Sequence, residues 1–344
     1  IVADVPNWAF DNIAKKLKKE LSYKYNIEIK YFNRRKETDF LFEFIEENNN
    51  YDLIHFLNRR ILLLMGSKTF QHKIKLSGQN INEYISKKKQ IFTTSVNDHI
   101  DLDPKGIIEL KPIYNEYTKK YYTSNKKLFD IYNSIPEFKN PDCMIHDICD
   151  EDIFVPINLN RFEKNNIEKR PIVIGWVGNS THSDEKDVDL KGFHSIIKPV
   201  IEELINEGYD IKEHYANRNE KWRLPIEMPK YYSIIDLCLC ASIHEGTPLP
   251  ILEAMNCGVP IITTDVGLVS EVFDRIQKEF IIGDRLNGQN DENIKRNLKQ
   301  KIMELYNNRS LFEELSKENL QAIKKIDSKT TIKKFENFFD SCLE

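Results

Sequence analysis

HEGTPLPILEAMNCGVP, residues 244–260, is the stretch that decides how the second half of this chain folds. It follows an apolar, strand-like run that ends near Ser242. A turn of small residues at 246–247 precedes Pro248, which suits the first turn of a helix. Gly258 ends that helix and leads into another apolar run. The pattern predicts a strand, a tight turn, a helix and a second strand parallel to the first.

The turn that starts this helix is suited to binding an oxygen-rich ligand. Backbone N–H groups at a helix start point the same way as the positive end of the helix dipole, which favours phosphate or a sugar oxygen. Gly246, Thr247, Pro248 and Leu249 are therefore candidate binding residues. Glu245 lies at the expected strand end, where open parallel sheets bind their ligands.

Glu253 lies in the second turn of the predicted helix, and seven residues separate it from Glu245. A carboxylate at this point can accept hydrogen bonds from two vicinal hydroxyls, such as those of ribose. Glu253 is therefore a candidate for binding a ribose, and Glu245 is a candidate ligand-binding residue at the end of the strand.

The complete string resembles the retaining GT-B glycosyltransferases, the glycosyl transferases of group 1. The two spaced glutamates, the sequence EAMNCGVP at 253–260 and the sequence IITTDVGLVSE at 261–271 carry this resemblance, which is densest over residues 172–272. It implies an α/β fold, GT-B, in which two Rossmann-like domains with parallel sheets face a cleft. It also implies transfer of a sugar from a nucleotide-diphosphate sugar, with Glu245 contacting the donor sugar as a catalytic residue and Glu253 binding the ribose.

A second motif implies how the diphosphate is bound. Gly178 ends an apolar run, and a glycine there lets the backbone approach a phosphate closely. Lys191 begins the next helix and, by the resemblance, pairs with the phosphates of the leaving nucleotide; a solvated helix start is the alternative. The family usually has an arginine where this chain has Asn179, and His182 or Lys186 could replace that charge.

Fainter resemblances complete the expected site. Residues 222–232 resemble the segment before the donor strand, so Met228 is expected to line the base pocket, with core packing as the alternative. Trp8 occupies the position of the acceptor loop, where it could stack on a sugar face or fix the following helix. Asn97 stands at the position of a histidine that faces the donor sugar, and His99 is the obvious substitute for that histidine.

Short apolar runs alternate with amphipathic stretches along the whole chain, which predicts parallel sheets covered by helices. The polar segment 158–170 has the composition of a linker. We therefore expect an acceptor domain at 1–165 and a nucleotide-sugar domain at 166–328. The resemblance implies that a last helix at 329–344 crosses back to the first domain.

Composition excludes several classes of protein. The chain has 344 residues, of which 40% are hydrophobic and 30% charged, with a formal net charge of -4. Nucleic-acid binders are usually basic, so we expect no nucleic acid as a partner. No apolar run is long enough to cross a bilayer. The six cysteines fit no zinc spacing and are expected to be free thiols of a cytoplasmic protein.

No metal and no cofactor is expected. Three Asp-x-Asp triplets occur, at 101–103, 150–152 and 187–189, and such triplets arise by chance in a chain this acidic. The nucleotide-sugar is a substrate, and the phosphate site is expected to work without a divalent ion. No G-x-G-x-x-G or P-loop is present, which argues against a dinucleotide oxidoreductase or a kinase.

The acceptor is expected to be a glycan, a lipid-linked molecule or a protein. Four lysines on the first helix favour a solvated face or contact with an anionic membrane surface; they are Lys15, Lys16, Lys18 and Lys19. The second alternative would place the N-terminal domain at the inner membrane surface. Two other functions stay open: a nucleotide-sugar epimerase or hydrolase of similar fold, and a non-catalytic glycosyltransferase-like subunit.

Overall fold

The computed structural model describes residues 1–181, 188–286 and 290–344, and it consists of two compact units. Unit 1 comprises residues 1–148 and 329–344, and unit 2 comprises residues 149–328. Each unit has its own parallel sheet and its own hydrophobic core, as expected where strands alternate with helices.

Unit 1 contains a parallel sheet with the strand order β2-β1-β3-β4-β5-β6 in the described part of the chain. Its strands are β1 Val2–Ala3, β2 Lys30–Tyr31, β3 Ile54–Phe56, β4 Phe92–Val96, β5 Lys120–Thr123 and β6 Cys143–Met144. The central strand β4 is buried along its whole length. Burial on both faces is typical of parallel sheets that carry helices on both sides.

Helices connect these strands and cover the sheet. They are α1 Ala9–Leu21, α2 Leu41–Glu47, α3 Lys68–Leu76, α4 Ile81–Lys89, α5 Pro104–Pro112, α6 Lys126–Asn133 and, from the far end of the chain, α14 Ser328–Leu343. Several begin with a side-chain cap: Asn80 accepts hydrogen bonds from the backbone at the start of α4, and Asn125 does so at the start of α6. Such caps define where the helices begin.

Unit 2 contains a parallel sheet with the strand order β10-β9-β7-β8 in the described residues. Its elements are α7 Lys164–Ile167, β7 Ile172–Gly178, α8 Lys198–Asn206, β8 Ile211–Asn217, α9 Met228–Tyr232, β9 Leu237–Cys240, α10 Leu249–Asn256, β10 Ile261–Thr263, α11 Val269–Val272, α12 Asp291–Asn307 and α13 Leu311–Ala322. A π-helical turn, Phe193–Ile197, leads into α8.

Two layers of apolar side chains fill unit 2, one on each face of its sheet. On one face Trp176 of β7 packs on Phe193, with 4.3 Å between the ring centroids. On the other face Tyr232, Leu252 and Met255 lie in a separate buried cluster. The alternation of side chains along β7 sends successive residues into different layers.

The units divide earlier in the chain than the linker-like composition predicts. The division lies between Ile148 and Cys149 instead of at residue 165. Phe162 is fully buried in the core of unit 2, and the buried Arg161 donates hydrogen bonds to the carbonyl oxygens of Tyr232 and Ile235. The polar segment therefore packs as part of unit 2 although its composition is that of a linker.

Local patterns also differ from the structure in two places. The apolar run at 280–283 has the pattern of a strand but forms only a single bridge, between Thr263 and Ile281. The helices α3, α4 and α5 lie in a stretch where the sequence patterns predict no element. Their apolar faces are narrow, since only two residues of each are buried.

Candidate functional site

The candidate site of unit 2 lies at the carboxyl ends of β7 and β9. β9 ends at Cys240, and the loop that follows leads to α10, which begins at Leu249. A second loop precedes the π-helical turn that begins at Phe193. The two loops are hydrogen-bonded to each other, because the Ile243 N–H of the first loop donates to the Leu190 carbonyl oxygen of the second at 2.9 Å. The two loops bring residues that are far apart in the sequence to one edge of the sheet.

Lys191 and Glu245 form an ion pair across these loops. The Lys191 Nζ donates to the Glu245 Oε1 at 2.5 Å, and the Ser242 hydroxyl donates to the same oxygen at 2.7 Å. The side chains of Lys191 and Glu245 are 25% and 18% exposed. Both side chains therefore reach the surface of the site, whereas Ser242, which donates to the carboxylate, is buried.

The ammonium group of Lys191 stays charged in this position. Burial acts to lower the pKa of Lys191, but the charge of Glu245 and the hydrogen bond to it act in the opposite direction and leave the pKa raised. Charges interact more strongly in this half-buried position than in bulk water. An anion that binds at this edge of the sheet would interact with this ammonium group in competition with Glu245.

Glu253 lies on α10 beside a buried tyrosine. The Tyr232 hydroxyl is 2.8 Å from the Glu253 Oε2, to which it can donate a hydrogen bond. Burial raises the pKa of the Glu253 carboxyl from 4.5 to about 7, and the hydrogen bond from Tyr232 only partly opposes this rise. A carboxylate in such surroundings gains much from a ligand that supplies further hydroxyl donors.

The turn at residues 246–249 is packed tightly against another loop. Gly267 has a φ of +56°, and a Cβ at this position would lie 2.1 Å from the Gly246 carbonyl oxygen and 2.9 Å from Pro248. Thr247 and Pro248 are buried, whereas Leu249 is half-buried at the start of α10. The backbone of this turn is thus fixed by contact with position 267, where only glycine fits.

At the end of β7, Gly178 and Asn179 have different surroundings. A Cβ on Gly178 would lie 2.6 Å from the ring of Trp176, so a larger residue would displace that ring. The Asn179 Oδ1 accepts hydrogen bonds from the backbone N–H and the hydroxyl of Thr181, at 3.1 and 3.0 Å. His182 and Lys186, the expected substitutes for the family's arginine, lie outside the described residues.

Met228 begins α9 and is 8% exposed. It belongs to the buried cluster that also contains Tyr231 and Tyr232. Nearby, the Arg218 guanidinium lies 4.3 Å from the centre of the Trp222 ring, which is 42% exposed. Packing accounts for most of the surface of Met228, so its contact with a base remains a prediction.

The expected residues of unit 1 lie at the carboxyl edge of its own sheet. β4 ends at Val96, so Asn97 and His99 belong to the following loop. The Asn97 Nδ2 donates to the Ser95 hydroxyl at 3.0 Å, and its buried Oδ1 accepts no hydrogen bond from any described residue. Trp8 is 38% exposed and precedes α1.

Several polar residues at these edges were missed by sequence reasoning. In unit 1, the buried Arg59 donates to the Asp98 Oδ1 at 2.7 Å, and the buried His146 donates from its Nδ1 to the Ser124 carbonyl oxygen at 2.8 Å. Arg59 follows the buried strand β3 and His146 follows the half-buried strand β6, and the position after a parallel strand was the available signal. In unit 2 the missed residues are Ser242 and Arg285, whereas Tyr232 belongs to the segment 222–232, for which a wall of the base pocket and core packing were the alternatives.

Metal ligands do not cluster in the part of the chain that the structure describes: no three His, Cys, Asp or Glu side chains there could hold a metal ion. Asp101 pairs with Arg60 at 2.7 Å, and Asp189 accepts hydrogen bonds from the backbone at His194 and Ser195. Asp187 lies outside the described residues. All six cysteines are free thiols. None of the described helices combines the length and the apolar character that a bilayer crossing requires.

Comparison with known families gives a match within unit 2. Residues 210–321, less than half of the chain, match the model of the family described as Glycosyl transferases group 1. This segment contains Glu245, Tyr232 and Glu253 but not Lys191. No curated protein gives a significant match to the chain.

Solved structures show the same fold at low sequence identity. HepE of Anabaena in complex with UDP-glucose is 12% identical, with a TM-score of 0.62 over 99% of this chain and 98% of that one. Sucrose-phosphate synthase of Thermosynechococcus elongatus is 17% identical, with a TM-score of 0.56 over 90% and 80%. The pneumococcal O-GlcNAc transferase GtfA in complex with UDP and GlcNAc is 13% identical, with a TM-score of 0.56 over 80% of this chain and 60% of its own.

Proposed function

We propose that this chain, which has the GT-B fold and matches the glycosyl transferases of group 1 over residues 210–321, transfers a sugar from a nucleoside-diphosphate sugar to an acceptor hydroxyl. The observation that carries the proposal is the Lys191–Glu245 pair at the start of α10, with Glu253 on the same helix. Glu245, Lys191 and Glu253 can bind the sugar, the diphosphate and the ribose of such a donor, respectively.

In this mechanism the ammonium group of Lys191 stabilises the negative charge that develops on the diphosphate as the bond to the sugar breaks. The N–H groups of the turn at 246–249 bind phosphate or sugar oxygens. Glu245 accepts a hydrogen bond from a hydroxyl of the donor sugar and stabilises positive charge at its anomeric carbon. Glu253, as a carboxylate, accepts hydrogen bonds from the ribose hydroxyls.

We also propose that unit 1 binds the acceptor and that the sugar keeps its anomeric configuration. Asn97 offers its Oδ1 to a sugar hydroxyl, and Trp8 offers a half-exposed ring to an acceptor. The acceptor is a glycan, a lipid-linked molecule or a protein. A lipid-linked acceptor agrees with the exposed Lys15, Lys18 and Lys19 of α1; Lys16 is buried and lies 3.3 Å from the Glu20 carboxylate.

We further propose that UDP-sugars are the donors and that transfer needs no divalent ion. HepE is described with UDP-glucose and GtfA with UDP and GlcNAc, which makes UDP the first nucleotide to test. The cation at the phosphate site is a side chain, Lys191, so a metal has no necessary role there. A chelator is expected to leave transfer unchanged, and restoration by manganese of an activity lost to chelator would contradict this.

One test separates the site from the rest of the protein. Lys191→Met is expected to weaken UDP binding roughly 10- to 100-fold, because a charge-assisted hydrogen bond contributes about 1.5–3 kcal/mol. Glu245→Gln is expected to keep UDP affinity within a few-fold and to lower transfer by roughly 100-fold, as removal of one stabilising group in other active sites does. Lys198→Met, on the exposed face of α8, is the control and should change neither.

The same assay distinguishes the alternatives. An epimerase or hydrolase would consume the donor without an acceptor, and a non-catalytic subunit would bind nucleotide without turnover. Asn97 and Asn179, which stand where the family has charged or titratable groups, are the residues that favour the last of these. Transfer to an added acceptor by the wild-type chain would exclude it.

A further inference from the structure

Arg285 is a buried arginine between the two loops that carry the candidate site. Its side chain is 3% exposed. Its Nη1 donates to the Ala241 carbonyl oxygen at 2.7 Å and to the Asp189 carbonyl oxygen at 3.2 Å. Its Nε and Nη2 donate to the two carboxylate oxygens of Asp291, each at 3.0 Å. One guanidinium therefore joins three segments of unit 2.

Two of these segments lead to Lys191 and Glu245, the residues that bind the donor in the proposed function. Asp189 precedes Lys191 by two residues, and Ala241 precedes Glu245 by four. The loops approach closely here, since a Cβ on Gly192 would lie 2.5 Å from the Ala241 carbonyl oxygen and 2.9 Å from the Arg285 Nη1. The position of Lys191 relative to Glu245 depends on this approach.

The third segment supplies a fixed point. Asp291 is the first residue of α12, which packs on the core of unit 2 through Ile294, Leu298 and Ile302. The carboxylate binds two parallel N–H groups of the guanidinium and so sets the plane of the fork. A lysine has one nitrogen and cannot reach the carboxylate and both carbonyl oxygens with this geometry.

We propose that Arg285 is a positioning residue for the diphosphate site. It holds the loop before Lys191 against the loop before Glu245, so that the ammonium and the carboxylate lie at the distance that the donor needs. It does not touch the donor itself, because its nitrogens are buried and occupied by protein oxygens. The inference rests on the proposed function of the same edge.

The test compares nucleoside diphosphates with the matching monophosphates, using UDP and UMP, ADP and AMP, and GDP and GMP in isothermal titrations. In Arg285→Lys the affinity for the bound diphosphate is expected to fall at least tenfold while that for its monophosphate changes less than threefold. A general loss of stability would weaken both ligands in proportion. Asp291→Asn, which leaves Arg285 in place, is expected to shift the ratio in the same direction by a smaller factor.

Arg309→Lys is the matched control. The Arg309 Nη1 also joins two backbone carbonyl oxygens, those of Ile167 and Arg170, at 2.7 Å each, but these residues precede β7, whereas the site lies at the carboxyl end of that strand. Arg309→Lys should lower the melting temperature without changing the ratio of the diphosphate affinity to the monophosphate affinity. An unchanged ratio in folded Arg285→Lys and Asp291→Asn would overturn the inference, and a wild-type chain that binds none of the three diphosphates would overturn the proposed function instead.

Discussion

Glu253 combines a functional position with a thermodynamic penalty. The pKa of the Glu253 carboxyl is about 4.5 in the unfolded chain and about 7 in the folded protein, because burial disfavours the charged form. Between these two values the folded state binds more protons than the unfolded state, so stability falls as the pH rises through this window. A residue that lowers stability in its charged form is expected where ligand binding uses that charge.

Glu253→Gln is therefore expected to stabilise the free protein at high pH and to weaken donor binding. The free energy of unfolding of Glu253→Gln minus that of the wild type should be larger at pH 8 than at pH 5, by up to about 3 kcal/mol. This magnitude follows because each unit of pKa shift corresponds to about 1.4 kcal/mol. Urea titrations at both pH values measure this. The same difference at pH 5 and pH 8 would contradict the raised pKa, and unchanged UDP affinity in Glu253→Ala would remove this residue from the site.

Asn97 presents an unused acceptor at the carboxyl edge of unit 1. Its amide group donates to Ser95, while its Oδ1 is buried and accepts no hydrogen bond from the described residues. Asparagine can therefore orient a hydroxyl but carries no charge. If it replaces the family's histidine, turnover does not depend on a group that titrates near pH 6.5 at this position.

Asn97→Ala is expected to lower transfer at saturating donor by roughly 2- to 10-fold, the effect of one lost hydrogen bond. Asn97→His should restore turnover and add a pH dependence near 6.5. His99→Ala tests the substitute, which lies with Asn97 in the loop that follows β4. Full turnover in Asn97→Ala with loss in His99→Ala would move the role to His99.

The turn at the start of α10 depends on a glycine elsewhere in the chain. Gly267→Ala is expected to destabilise the protein by roughly 2–4 kcal/mol and to weaken UDP binding, because positive φ costs about 1–2 kcal/mol and its Cβ would also overlap the Gly246 carbonyl oxygen. Gly208→Ala is the control, with a φ of +90° and no atom within 4 Å of the added Cβ.

The two variants separate backbone strain from the contact. Thermal unfolding and UDP titration of both are expected to show a loss of about 1–2 kcal/mol for Gly208→Ala, with unchanged affinity. Equal effects of the two substitutions on stability and on UDP affinity would show that the contact between Gly267 and the turn does not shape the site.

Across the molecule, the last helix completes the core of unit 1 from the opposite end of the chain. Phe338 of α14 packs edge-on against Tyr122 of β5 at 5.3 Å and against His55 of β3 at 6.1 Å. Lys24 forms ion pairs with Glu336 and Asp340 at the side of this helix. Unit 1 thus contains a segment that the chain adds only after unit 2 is complete.

Phe338→Ala is expected to lower the free energy of unfolding by about 3–5 kcal/mol, the cost of removing a buried aromatic ring. Phe40→Ala is the matched control in the same unit, since its ring is 61% exposed, and should change stability by less than about 1 kcal/mol. Chemical denaturation measures both. A small effect of Phe338→Ala would mean that α14 adds little to the core of unit 1.

Contiguous patterns were sufficient to predict much of this protein. The strand, turn and helix around residues 244–260 and the alternation of parallel strands with helices in both units follow from apolar periodicity and from glycine and proline at turns. The two glutamates were recognisable because their spacing is local. Elements with narrow apolar faces, such as α3 and α4, left too weak a period to be predicted.

Contacts between distant parts of the chain were decided only by the tertiary structure. The Tyr232 hydroxyl at Glu253, the Arg285 bridge and the raised pKa of Glu253 all depend on how separate segments pack at one edge of a sheet. The division at residues 148 and 149 has the same origin, because Phe162 is buried against residues far along the chain. Local periodicity shows which face of a segment is buried, but the partner on that face is set by the path of the whole backbone.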